Sequence, residues 1–143
     1  MGAHCFVAES NGTFAGFLWL QENSYEEDEV RCLFVPTPAN RSVWDFDVYV
    51  DPEFRLGRAF ARLWDAADKY LQSRCFAWTT SRISAFNIMS LKSHAALGAV
   101  SVGWVVFLVA GSFQMTVSPG APYLHMSFAR TSRPTIQVRV PDL

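Results

Sequence analysis

The sequence predicts an α+β domain, a mixed and mostly antiparallel central sheet with flanking helices. Three observations carry this. Asn11-Gly12 separates two apolar runs, the strongest short-range hairpin signal. Phe60, Leu63, Trp64, Ala67 and Leu71 recur at offsets of 0, 3, 4, 7 and 11, which places them on one face of a helix. Trp104 to Val109 is β-branched and aromatic, the make-up of a buried strand.

Taken in order, the first hairpin comprises Cys5–Glu9 and Thr13–Leu20. A polar loop, 21–29, follows with the acidic run Glu26-Glu27-Asp28-Glu29. Such a run reads first as a solvated loop, and its functional alternative is attraction of a cationic acceptor. Val30–Val35 is a further strand, ended by Pro36 and Pro38. Val43–Val50 comes next. Simple alternation sends Trp44, Phe46, Val48 and Val50 to one face and Val43, Asp45, Asp47 and Tyr49 to the other. That second face is polar, so the strand meets core on one side and a cleft or solvent on the other. The helix carrying the stripe starts after Gly57 and ends near Arg74, and 75–80 is a strand. A second helix spans about 86–97 and stops at Gly98. Two or three strands follow, at about 100–109, 113–117 and 123–128, and with two of them the order is β-β-β-β-α-β-α-β-β. In the tail Ile136, Val138 and Val140 alternate, as in an added strand or a swapped arm. The expected organisation is therefore one domain over 1–128 and an extended tail over 129–143.

Length and composition narrow the function classes. A chain of 143 residues that is 50% apolar and 15% aromatic supports a proper core. Twelve basic and 13 acidic residues give a net charge of −1, so nothing points to nucleic acid or an anionic membrane as partner. Three dispersed cysteines, none in a Cys-x-x-Cys, read as reduced thiols, and no basic flank precedes an apolar run at the N-terminus. The expected location is the cytoplasm. Residues 95–113 carry no charge and are long enough to cross a bilayer, but Gly98, Ser101, Gly103, Gly111 and Ser112 interrupt them, so core strands are expected. His4, His94 and His125 lack metal-ligand spacing, and no metal is expected. A nucleophile elbow, a P-loop and a dinucleotide fingerprint are all missing.

The most informative stretch is 46–63, where a strand stops at Pro52 and reopens as a helix, with Gly57 between Arg55 and Arg58. A junction of this kind offers free backbone N–H groups and the positive end of a helix dipole to an anion. Val50-Asp51-Pro52-Glu53-Phe54-Arg55 followed by Gly57-Arg58-Ala59 resembles the pyrophosphate turn of the GNAT superfamily of acetyl-CoA-dependent N-acetyltransferases, with the turn one residue shorter. Asn87, Ser90, Leu97 and Gly98 match that family's second motif, and His94 stands where the family has tyrosine. The resemblance covers residues 6–128 and lacks the family's first strand and the helix pair after it.

The resemblance implies acetyl-CoA as co-substrate and a primary amine, on a small molecule or a protein, as acceptor. It places the pantetheine arm along Val48, Tyr49 and Val50. It assigns the pyrophosphate to the amides of Leu56, Gly57, Arg58, Ala59 and Phe60, with charge from Arg55 or Arg58, and gives Asn87 and Ser90 a place beside the arm. His94 falls at the position that protonates the departing thiolate, a task imidazole can perform near neutral pH. For the base, Asp45 or Asp47, on one strand face about 7 Å apart at ~3.3 Å per residue, can take the amine's proton directly or through water. A second reading is a non-catalytic GNAT-like module that binds CoA or a partner chain. Exposed strands in such a half-complete fold lead to the expectation of a homodimer.

Overall fold

A computed structural model describes residues 2–141, so Met1, Asp142 and Leu143 of the ranges above lie outside the described residues. The hairpin is β1 (Ala3–Ser10) and β2 (Thr13–Glu22). Asn11 and Gly12 both have positive φ, 52° and 77°, as a tight turn matching the strand twist requires. A two-residue strand, β3 (Tyr25–Glu26), lies inside the expected loop, and β4 (Leu33–Thr37) runs through Pro36 instead of stopping before it. Proline is tolerated there because β3 reaches only Leu33 and Phe34, so at Pro36 the strand has one neighbour. That neighbour is β10 (Thr135–Arg139), which pairs in parallel with β4 of the same chain.

The central strand β5 (Ser42–Val50) leads through a short 3-10 turn, Pro52–Phe54, into α1 (Ala59–Ser73). The expected stripe is the buried face of α1: Leu63, Trp64, Ala67 and Leu71 pack on Leu18, Leu20 and Val43. The helix closes with Cys75 at φ 61°, its N–H donating to the Gln72 carbonyl and that of Phe76 to the Leu71 carbonyl. That closure consumes the first residues of the expected 75–80 strand, leaving β6 as Trp78–Thr80. The second helix, α2 (Ile88–Ala96), ends as anticipated at Gly98, which has φ 88°. The last strands are β7 (Val106–Ala110), β8 (Phe113–Val117) and β9 (Leu124–Ser127), with 100–105 irregular around Ser101 and Gly103.

The fold class is as expected, but the strands form three sheets in place of one central sheet: β1-β2-β5-β6, β10-β4-β3 and β7-β8-β9. In the first, β1-β2 and β2-β5 are antiparallel and β5-β6 is parallel. Cys32, Phe34 and Trp44 form a second core that joins the first sheet to the other two.

Simple alternation fails in β5. Opposite it, Trp19 pairs with Asp47 and Leu20 with Asp45, so Phe46 is an extra residue, a β-bulge. The bulge reverses the phase: Val43 and Val48 reach the same α1-facing core, while Trp44 and Phe46 face the second one. Asp45 and Asp47 therefore do not share a face. Asp45 is buried and Asp47 is exposed.

Candidate active site

The site is built by two parallel strands that part. β5 and β6 pair only at Ser42–Trp78, Val43–Thr79 and Trp44–Thr80, after which the chains diverge. The Thr80 hydroxyl donates to the Val43 carbonyl at 3.2 Å, pinning the vertex. Beyond it opens a cleft of about 490 Å³ between residues 44–48 of β5 and the segment 81–84, with Asn87, Ser90 and His94 of α2 at its rim. The side of β5 facing away from β2 has no strand partner past Trp44, so its N–H and C=O groups form a free edge along the cleft.

Six predicted site residues meet here: Asp45, Asp47, Val48, Asn87, Ser90 and His94. Burial lifts the Asp45 carboxyl to about 7, although hydrogen bonds from Ser81 and Thr79 favour its charged form. Asp47 is also raised, by partial burial first and then by the negative charge of Asp28. His94 Nδ1 lies 2.8 Å from the Ser90 carbonyl oxygen, which can only accept, so Nδ1 carries the hydrogen. Nε2 is then an acceptor in neutral imidazole and donates only from imidazolium. The ring is held edge-on against Phe60 (5.5 Å) and Trp64 (5.9 Å) of α1. Asn87 spends its side-chain oxygen on helix capping, accepting from the Ser90 N–H at 3.1 Å.

The other predicted residues lie at the turn. Leu56 is fully exposed, and α1 begins without a side-chain cap. The N–H of Gly57 is taken by the Phe54 carbonyl (3.0 Å), while those of 58–61 have no acceptor among the described residues. Arg55 folds back so that its Nε donates to the Val50 carbonyl at 2.9 Å, at the end of the free edge. Of the arm-lining trio, Tyr49 turns its ring away and stacks with Phe14 and Phe17.

Sequence reasoning missed the opposite wall. The acidic run is solvated, with Glu26, Asp28 and Glu29 exposed, and it is also part of the site: Glu27, Asp28 and Glu29 line the cleft. Arg82 Nε donates to Glu27 at 2.7 Å and Nη2 to Glu29 at 2.5 Å, and the Glu27 side chain is only 7% exposed. Five carboxylates thus surround the cleft against one arginine. Tyr25 stacks on Trp44 and Phe46, and its hydroxyl is pushed up to about 12 by burial, then by Glu27 and Asp28. The run at 26–29 was a signal for this wall, whereas Arg82, a lone arginine after a short strand, carried none.

The fold is that of the GNAT acetyltransferases. A crystal structure of an aminoglycoside acetyltransferase from an uncultured soil metagenomic sample superposes with a TM-score of 0.55 at 14% identity, over 76% of this chain and 64% of that one. The aminoglycoside N-acetyltransferase AAC(6')-Iy, solved in complex with CoA, gives 0.53 at 23% identity over 74% of each chain. Ribosomal-protein-alanine N-acetyltransferase from Brucella melitensis biovar Abortus 2308 gives 0.56 at 15% identity, over 76% and 71%. The likeness is one of fold, and this chain spans less than two thirds of the metagenomic enzyme. No protein-family model and no curated protein matches the sequence. Among the described residues no helix is long and apolar enough to cross a membrane.

Proposed function

We propose that this chain transfers an acetyl group from acetyl-CoA to a primary amine of a small molecule or protein. The observation that carries the reading is the parting of β5 and β6 around an acidic cleft beside a free strand edge. That edge suits an amide-bearing pantetheine arm, and the open amides of 58–61 suit its pyrophosphate. Val48 and Val50 supply edge groups, Leu56 to Phe60 the turn, and Arg58 the nearest uncommitted charge.

Transfer requires the amine nitrogen to form a bond to the thioester carbonyl carbon while the C–S bond breaks. Asp45 accepts the proton the amine loses, because a carboxylate held near neutrality by burial can both bind and release it. Asp47 and the acidic wall hold the acceptor's remaining positive charge. The thiolate takes a proton from His94 Nε2 in its imidazolium form, with Ser90 fixing the ring. The cleft residues, not the turn, decide which amine reacts. We further propose a cytoplasmic homodimer with the domain in 1–128 and an appended tail.

A second reading, a CoA-binding or partner-binding module without turnover, is favoured by Arg55 occupying the Val50 carbonyl and by Asn87 being committed to its cap. One experiment separates the two. Melting with and without acetyl-CoA, with ATP as anion control, reads the cofactor site, since ligand at ~100 times Kd adds about 2.7 kcal/mol. A shift specific to acetyl-CoA followed by thiol release with an amine panel supports transfer. A shift without release supports the CoA-binding module, and no specific shift overturns transfer and leaves the partner-binding module.

A further inference from the structure

The sheet of β7, β8 and β9 is inverted. Its register puts Val106, Val117 and Leu124 in one row and Leu108, Met115 and Met126 in the next, all on one face. The face turned to the core buries polar side chains, Gln114, Thr116 and Ser127 at 2%, 0% and 8% exposed, with Phe107 as its apolar contact to the second core. On the other face Val106, Leu108, Leu124 and Met126 are 46–60% exposed, and Phe128 beside them 70%. A sheet in water keeps its apolar face only when something covers it.

The chain holds a second uncovered apolar surface. No residue of α2 is buried, and Ile88, Leu91 and Ala95, at offsets of 0, 3 and 7, form a stripe, with Ile88 60% and Leu91 40% exposed. At 100° per residue this stripe lies about a third of a turn from Ser90 and His94, so it is free while those two face the cleft. The dimensions match: nine helical residues span about 13.5 Å, and five-residue strands about 16 Å. The chain's own α2 is held at the cleft by the His94 ring against Phe60 and Trp64.

We propose that this chain pairs with a second copy through a two-fold interface in which α2 of each copy lies across the outward face of β7–β9 of the other. Under a two-fold axis the two helix-on-sheet contacts are equivalent, so the pair leaves neither surface free. Seven large exposed apolar side chains per copy, at roughly 100 Å² each, come to about 700 Å², close to the ~800 Å² per partner of a standard interface. The proposal does not rest on the transferase reading.

The test is sedimentation velocity over a roughly hundredfold concentration range. The expected mass is twice 16.1 kDa, with Leu108→Glu and Leu91→Glu each weakening association at least ~10-fold. Chains with the exposed Cys5 and Cys75 replaced by serine provide the second measurement. One carries Leu91→Cys and the other Met126→Cys, and on mixing a disulfide should join the two chains. This readout decides the matter should the charged variants not fold. A monomer at every concentration, a dimer indifferent to Leu108→Glu, or no disulfide between the two mixed chains would overturn the proposal.

Discussion

The two halves of this chain solve the same problem in opposite ways. Around β5 and α1 the apolar side chains face inward, Leu18, Leu20 and Val43 against Leu63, Trp64, Ala67 and Leu71. Around β8 the inward side chains are polar and the outward ones apolar. The buried amide is satisfied, since Gln114 exchanges two 2.8 Å hydrogen bonds with the Arg31 backbone and Arg31 Nη2 donates to the Ser127 carbonyl at 3.0 Å, whereas Arg31 Nε and His125 Nδ1 are buried without a partner among the described residues. Satisfied polar groups make a buried face viable but contribute little net stability. The first half therefore holds the folding energy, and the second spends its apolar surface on an interface.

The largest effect that would sharpen this contrast is electrostatic. Asp45 is a buried ionisable group of the first half, while the buried polar groups of β8 and β9, Gln114, Thr116 and Ser127, do not titrate. Its folded value, about 7, is above the usual carboxylate range. The folded state therefore holds this proton more tightly, and the associated stability is full below about pH 4 and lost as pH rises to 7. The size is on the order of 4 kcal/mol, from 1.36 kcal/mol per unit. Melting wild type and Asp45→Asn from pH 4 to 8 should show the variant lacking this fall. Equal slopes would remove Asp45 as the titrating group. If Asp45 is also the base, kcat/KM rises through pH 7 in wild type and falls about 10²–10⁴-fold in Asp45→Asn.

Matched leucines test the contrast in packing. Leu63 is 2% exposed and Leu108 53%. Leu63→Ala should cost about 3 kcal/mol in urea unfolding, independent of protein concentration. Leu108→Ala should cost under ~1 kcal/mol in dilute protein and more as concentration rises, because association adds to apparent stability. Equal, concentration-independent costs would mean that the outward face is already packed within one chain.

How much of this was legible beforehand follows the same division. The turn at Asn11-Gly12, the α1 stripe and the stop at Gly98 were readable because each is a local rule about φ or about which side faces a core. The bulge at Phe46 was not, because it is fixed by where β2 lies opposite, and it moved Asp45 and Asp47 to different faces. The inversion of β7–β9 escaped for a related reason. Alternation in Phe113-Gln114-Met115-Thr116-Val117 was visible, yet nothing local says which face is inside. Of the site, the α2 residues and the two aspartates converge on the cleft, whereas the Arg82 clasp depends on loops far apart in sequence.

A smaller effect concerns the close approach of β2 to β5. A Cβ on Gly16 would sit 2.4 Å from the Tyr49 carbonyl oxygen, which belongs to backbone and cannot swing aside. Gly16→Ala should lower stability by about 2 kcal/mol and displace the edge of β5 that borders the cleft. A thermal melt reads the first effect and the acetyl-CoA-dependent shift the second. An unchanged melting curve would mean that the two strands have room to separate.

The smallest expected effect compares the two helix ends. Both close with the same pair of backbone hydrogen bonds and a residue at positive φ: Gly98 at 88° after α2 and Cys75 at 61° after α1. Glycine adopts this conformation freely, whereas any other L-residue bears a Cβ penalty of about 1–2 kcal/mol, offset in part by the greater freedom glycine has when unfolded. Cys75→Gly should therefore stabilise by about 0.5–1 kcal/mol, and Gly98→Ala should destabilise by a similar amount. The readouts differ because the regions differ. α1 is anchored in the main core, so Cys75→Gly should raise the global midpoint. The exposed α2 should instead fray locally in Gly98→Ala, with faster amide exchange over 88–96 and little movement of the midpoint. A global shift from Gly98→Ala would mean that α2 unfolds together with the main core, and the division drawn here between the two halves would fail at that helix.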